Sequence, residues 1–309
     1  MSSAEKIAAI FPGQGAQSVG MLSELAANHA SIKLRFAEAS DVVGFDLWAM
    51  TEQGPSEVLG QTENTQPALL TASVALWDLW PGAYEKVAMM AGHSLGEYSA
   101  LVCAGSMSFA DGVALVRKRG ELMQAAVPNG QGTMAAVLGL DDEAIAQCCD
   151  QVAGEVSAAN YNAPGQVVIA GETDAVHAAI DACKAAGAKR AVPLDVSGPF
   201  HSRLMERAAN DFSEALSAIE LTLPEIPVYQ NVHGQVADSV DEMRRLLVEQ
   251  LYSPVRWTTC VSALLGAGVA QFVECGPGNV LAGLVKRISR GTPTVGLSTA
   301  YGIEAAQAL

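Results

Sequence analysis

Residues 87–100, Val87-Ala88-Met89-Met90-Ala91-Gly92-His93-Ser94-Leu95-Gly96-Glu97-Tyr98-Ser99-Ala100, run from a short apolar segment through a glycine-flanked serine into a helix opening. Strand, tight turn, helix is the setting in which a Gly-x-Ser-x-Gly motif presents a nucleophile. The glycines relieve crowding where the chain bends sharply, because they carry no Cβ. The turn pushes the Ser94 hydroxyl out at the carboxyl end of a strand. The helix that follows aims its free N–H groups and positive dipole end at the same spot. A weak alcohol nucleophile needs that placement, a base beside it and donors for the oxyanion it creates. A Gly-rich turn that merely contains serine fits the bare pattern too; the flanking strand and helix favour the nucleophile.

Around that elbow the chain alternates short apolar runs with amphipathic segments. Lys6–Phe11 reads as a buried strand feeding a glycine-rich loop, Pro12 to Gln17. No Gly-Lys-Ser/Thr follows, so this is not a phosphate loop. A helix is expected from Thr65, as N-cap, to about Trp80, with Pro67 in its first turn. Gln66 there either faces the same cleft as Gln14 or is a solvated polar residue. Residues Phe109 to about Val127 form a second long helix, with Arg117 and Lys118 pointing away from its apolar stripe. Arg119 falls on the edge of that stripe. Spacing alone leaves two readings open for it: an arginine snorkelling to solvent, or a clamp for a substrate carboxylate.

Residues 130–195 change rhythm, to βαββαβ, the ferredoxin-like order. The polar stretch Asn160–Gly165 is expected to be a loop and a natural lip for a cleft. The rest of the chain, with expected strands at 226–232 and 270–275, implies a parallel sheet with helices on both faces. The fold class is therefore α/β: a large subdomain with a parallel sheet, residues 1–128 and 196–309, and a small inserted one, residues 129–195. Among the five histidines, His201 is the best base candidate, because it sits between the turn Gly198-Pro199 and an expected helix, Arg203–Ile219. His93 reads as structural, His29 and His177 as ordinary helix residues, and His233 is open. Asp195 and Glu274 compete as the acid of a triad, with nothing to choose between them.

Composition removes several function classes. The formal charge of −15 leaves no basic stripe for nucleic acid or an anionic membrane. No apolar run approaches the ~20 residues a membrane span needs. Six cysteines without Cys-x-x-Cys spacing read as reduced cytosolic thiols, and no metal site is visible. Met1 to Lys6 lack the basic segment of a signal peptide, so a cytoplasmic protein is expected.

Several segments together resemble malonyl-CoA:acyl carrier protein transacylases over essentially the whole chain. They are Phe-Pro-Gly-Gln-Gly-Ala-Gln (11–17), Gly-His-Ser-Leu-Gly-Glu-Tyr-Ser-Ala (92–100), Arg-Gly (119–120), Phe-His-Ser (200–202), Gln-Leu-Tyr-Ser-Pro-Val-Arg-Trp (250–257) and Glu-Cys-Gly-Pro-Gly (274–278). The resemblance implies an α/β-hydrolase-like large subdomain and a set of roles. Ser94 is the nucleophile and His201 the base. Gln250 orients the imidazole through its main-chain carbonyl, so a Ser–His dyad replaces a triad. The amides of Gln14 and Leu95 form the oxyanion hole. Arg119 holds the malonyl carboxylate, and Phe200 stands where methylmalonyl-selective relatives carry Ser. Asn162 and Gln66 are weaker substrate contacts. Malonyl-CoA and acyl carrier protein are the implied partners, with no cofactor. An acidic carrier requires a local basic patch; Lys189-Arg190 and Lys286-Arg287 with Arg290 are candidates. A thioesterase, a malonate decarboxylase subunit and a polyketide acyltransferase share parts of this pattern.

Overall fold

The computed structural model describes residues 5–309; the rest of the N-terminal stretch read for a signal peptide lies outside the described residues. Two sheets organise the chain. The first is parallel, built from β1 (Lys6–Phe11), β2 (Val87–Gly92), β7 (Val228–Tyr229), β8 (Val269–Glu274) and β9 (Thr294–Gly296), in the order β7-β2-β1-β8-β9. Its central strand is almost wholly buried, as expected when helices cover both faces. The second is antiparallel, with β3 (Gly132–Leu138), β4 (Val156–Ala163), β5 (Gln166–Glu172) and β6 (Arg190–Pro193) in the order β4-β5-β3-β6. Two helices, Asp142–Asp150 and Thr173–Ala185, complete the ferredoxin-like βαββαβ unit on a core of its own. No helix is long and apolar enough to cross a membrane among the described residues.

Four local expectations change. The helix expected from Thr65 starts at Thr62, and Gln61 takes the N-cap position. Pro67 is therefore inside the helix, where its missing N–H leaves the Glu63 carbonyl without an intrahelical donor. Arg117 fills that gap, its Nη1 lying 3.1 Å from the Glu63 oxygen. Thr65 instead donates its hydroxyl to the Leu59 carbonyl, at 2.5 Å. The stretch read as a polar lip loop is mostly strand: β4 runs to Ala163, and only Pro164 and Gly165 turn. Asn160 and Asn162 are thus displayed from a sheet. The strand expected over 226–232 shrinks to β7, because Gln230 already turns, its N–H bonding the Gln235 carbonyl. The helix after His201 opens as a 3₁₀ turn, Arg203–Met205, before Glu206–Ser217 continues as α-helix.

Candidate active site

The elbow at the end of β2 is held by contacts that only glycine permits. A Cβ on Gly92 would lie 1.8 Å from the Gly96 carbonyl carbon, and one on Gly96 would lie 1.9 Å from the Phe11 carbonyl oxygen. A Cβ on Gly13 would lie 2.3 Å from the His93 carbonyl, so the Gly13-Gln14 loop presses directly on the turn. Ser94 itself takes φ 52° and ψ −109°. A non-glycine residue there stores about 1–3 kcal/mol of strain, typical of residues the surrounding structure must hold in place.

His201 approaches from the segment after Pro199, also at positive φ, 60°. Its Nε2 lies 2.7 Å from the Ser94 Oγ. Its Nδ1 lies 2.7 Å from the Gln250 main-chain carbonyl. A carbonyl only accepts, so Nδ1 carries the proton and donates; Nε2 is then the acceptor for the serine hydroxyl. Burial, followed by the charge of Arg119, pushes the His201 pKa down to about 3. Neither candidate acid joins the pair. Asp195 is exposed, and Glu274 is buried with its oxygens accepting from the N–H groups of Leu281 and Ala282, at 2.9 and 2.8 Å.

Arg119 is 1% exposed, so it does not snorkel to solvent. The helix Phe109–Ala125 packs closely on Thr62–Asp78, since a Cβ on Gly120 would lie 2.6 Å from the Glu63 Cα. That closeness brings Nη1 within 2.8 Å of the Gln66 Oε1. Nη2 donates to the Gln250 Oε1 at 2.9 Å and lies 3.3 Å from the Ser94 Oγ. The guanidinium sits over the Tyr98 ring, 5.2 Å from its centroid. Its neighbours are amides, a hydroxyl and a ring; among the described residues no carboxylate lies within ion-pair distance. A buried charge is costly unless it is paired and hydrogen-bonded. This one is hydrogen-bonded at Nη1 and Nη2 and has no ion-pair partner among the described residues, the Glu97 carboxyl acting on it only from beyond that distance.

A cavity of about 240 Å³ opens over these groups, between the Gly13-Gln14 loop, the antiparallel sheet and the start of the Val280–Ile288 helix. Gln14, Gln66, Ser94, Leu95, Arg119, Asn162, Phe200 and His201 all line it. Gln250 stands behind them, fully buried, and its Nε2 donates to the Ser94 carbonyl at 3.2 Å. Asn162 accepts at its Oδ1 from the His93 Nε2, 2.7 Å away, tying the small sheet to the elbow. The amides of Gln14 and Leu95 make no hydrogen bond among the described residues and remain open for a ligand. Among the described residues no cluster of His, Cys, Asp or Glu could hold a metal. All six cysteines are free and buried.

Sequence reasoning passed over Asn231 and the side-chain half of Gln250. Asn231 follows a two-residue strand, and nothing in its spacing distinguishes it from a turn asparagine. Gln250 stood out only for its main chain, which any residue supplies.

Residues 9–296 match the acyl transferase domain family. The chain is 55% identical to the malonyl CoA-acyl carrier protein transacylase of Salmonella typhimurium, over 92% of this chain and 93% of the relative. It is 46% identical to the Bacillus subtilis protein of the same name, over 97% and 96%. Among solved structures it is similar to an acyl carrier protein S-malonyltransferase from Vibrio cholerae, at 51% identity and TM-score 0.93, covering 97% of this chain and 99% of that one. It is also similar to a malonyl-transacylase solved in complex with its type II PKS acyl-carrier protein, at 50% identity and TM-score 0.95, covering 98% and 99%. With more than half of the residues shared over nine-tenths of both chains, and the domain match spanning both sheets, the chain belongs to the malonyl CoA-acyl carrier protein transacylase family.

Proposed function

We propose that this chain moves a malonyl group from coenzyme A to the phosphopantetheine thiol of an acyl carrier protein through a malonyl ester on Ser94, supplying fatty-acid synthesis. The observation that carries the reading is Arg119: a buried guanidinium with no ion-pair partner among the described residues, 3.3 Å from the hydroxyl that would attack. Malonyl places a carboxylate one methylene away from its thioester carbonyl, which matches a cation beside the nucleophile.

In the first half-reaction His201 takes the Ser94 proton as the oxygen attacks the thioester carbonyl. The open amides of Gln14 and Leu95 receive the developing oxyanion. The tetrahedral intermediate expels coenzyme A as its thiol, protonated from His201. In the second half-reaction the carrier thiol gives its proton to His201 and attacks the ester, and Ser94 leaves with that proton. The Gln250 carbonyl keeps the imidazole in the required tautomer throughout. Arg119, seated by Gln66 and Gln250, pairs with the carboxylate and pins the acyl group. Phe200 narrows the space around the malonyl α-carbon, and Asn162 fixes the cleft wall through His93.

Residues 1–128 and 196–309 act as the catalytic body, with 129–195 as the wall that closes the cleft. The thioester is already an activated acyl donor, so the transfer requires no metal or cofactor, and a chelator should leave the rate unchanged. A cytoplasmic setting suits these substrates and six free thiols. The test is incubation with labelled malonyl-CoA, with and without carrier protein, followed by mass spectrometry. A malonyl adduct on the Ser94 peptide that the carrier discharges supports the reading. Rapid loss of malonate to water without a carrier would make the protein a hydrolase instead.

A further inference from the structure

Asn231 touches no part of the acyl cavity, yet it is fully buried and its amide and backbone hold the elbow at three points. β7 pairs with β2 only at Met90 with Val228 and at Ala91 with Tyr229. After that its backbone turns away, and the next rungs of the ladder would be empty. The Asn231 side chain fills them. Its Nδ2 donates to the Gly92 carbonyl at 2.7 Å, and its Oδ1 accepts the Ser94 N–H at 2.7 Å. In an extended strand the C=O of one residue and the N–H two residues later point the same way, so a primary amide can bond both as a neighbouring strand would. Only a group with one donor and one acceptor at that separation does this. A carboxylate has no hydrogen to give, and a hydroxyl is too short to span both.

Asn231 is itself held. Its backbone N–H donates to the Glu97 Oε2 at 2.7 Å, and Glu97 is 1% exposed in the first turn of the helix Leu95–Cys103. The other Glu97 oxygen is buried with no partner among the described residues. The bond to Asn231 is the shortest polar contact of the buried carboxylate, whose charge Gln250 and Arg119 also favour. The segment from Gly92 to Glu97 is clipped at both ends by one residue of the turn that follows β7.

We infer that Asn231, anchored by Glu97, is the positioning residue that holds Ser94 in its left-handed, attack-ready backbone conformation. The inference rests on Ser94 being the nucleophile of the proposed transfer. It has a consequence for the oxyanion site. The Ser94 N–H is occupied by Asn231, so the elbow's free donor is the Leu95 N–H, whose peptide plane is fixed on its other side by the Gln250 amide on the Ser94 carbonyl. Loosening Asn231 tilts the nucleophile and that donor together, while the Arg119 clamp keeps its bond to the Gln66 Oε1.

The test compares single-turnover labelling of the full chain by malonyl-CoA and by phenylmethanesulfonyl fluoride, which needs an activated serine and no acyl clamp. All variants are checked for folding by circular dichroism at the assay temperature. Asn231→Ala should slow both labelling rates by roughly 10- to 100-fold, the scale of an ångström-sized misplacement. On a Ser94→Ala background it should leave the affinity for malonyl-CoA unchanged. Glu97→Gln keeps an acceptor for the Asn231 N–H and should stay within about fivefold of wild type, whereas Glu97→Ala should follow Asn231→Ala. A folded Asn231→Ala that labels at the wild-type rate, or that loses malonyl-CoA affinity while keeping its rate, overturns the inference. If Asn231→Ala does not fold, equal labelling by Glu97→Ala and Glu97→Gln overturns it. If the wild type reacts with the sulfonyl fluoride but not with malonyl-CoA, the transfer reading fails, and the sulfonyl fluoride rates still decide the role of Asn231.

Discussion

At the scale of single residues, the site depends on two groups whose charge burial controls. His201 has a pKa of about 3, well below its ordinary 6.5, so it stays neutral and competent as a base. The acylation kcat/KM should therefore be flat between about pH 5 and 8, measured with malonyl-CoA. An acid limb centred near 6.5 would contradict this. The same shift affects stability. Below 6.5 the unfolded chain takes up a proton at this histidine and the folded chain does not, so stability from this group falls as pH drops from 6.5 towards 3. Glu97 has the opposite sign. Burial lifts its pKa from 4.5 to about 7, so the folded chain holds the extra proton in that window and stability from this group falls as pH rises through it. Ser94 and His201 were legible in the sequence because a glycine-flanked elbow and a loop–helix histidine carry local signatures. Arg119 was half legible: its helical phase placed it beside the core, and only tertiary packing shows that it has no ion-pair partner among the described residues. Asn231 was illegible, because its function is to imitate a missing strand.

Among the elements, the contact between the helices Thr62–Asp78 and Phe109–Ala125 sets the depth of Arg119, the proposed clamp. Gly120→Ala forces a methyl against the Glu63 Cα at 2.6 Å and the Thr62 carbonyl at 2.8 Å. The helices must part, at a cost of about 1–3 kcal/mol. The distance from Arg119 to Gln66 should lengthen with them. Denaturant unfolding should show the lost stability, and KM for malonyl-CoA should rise more than kcat falls; an unchanged KM would mean that helix spacing does not seat the clamp. The alternation of strands and helices, and the βαββαβ insert, could be read from apolar periodicity, since β1, β3 and β8 are mostly apolar runs bounded by Gly or Pro. Element ends were harder. Thr65 looked like a cap because nothing in the sequence shows Arg117 completing the carbonyl that Pro67 leaves open. β4 looked shorter because Asn160 and Asn162 are poor strand formers that the sheet accommodates for their side chains.

For the molecule as a whole, the charge of −15 sets a docking problem, because the carrier is expected to be acidic too. Lys286 and Arg287 are exposed on the helix whose first turn lines the cavity, and neither has an ion-pair partner among the described residues. Lys189 and Arg190 are exposed at the end of β3 and β6 remote from Met134, the β3 residue that lines the cavity. Reversing both charges in Lys286→Glu/Arg287→Glu should raise KM for the carrier at least about tenfold at low salt and change acylation by malonyl-CoA much less. An unchanged carrier KM would move the docking face to the other patch. Subdomains, sheet and cleft all converge on one buried cation, which the proposed function pairs with the far end of the acyl group. The most direct measurement is the ratio of malonyl to acetyl single-turnover acylation rates in the wild type and in Arg119→Ala. The account predicts a strong malonyl preference that collapses by roughly 100-fold or more in the variant, while the acetyl rate falls far less. A preference that survives the loss of Arg119 would contradict it.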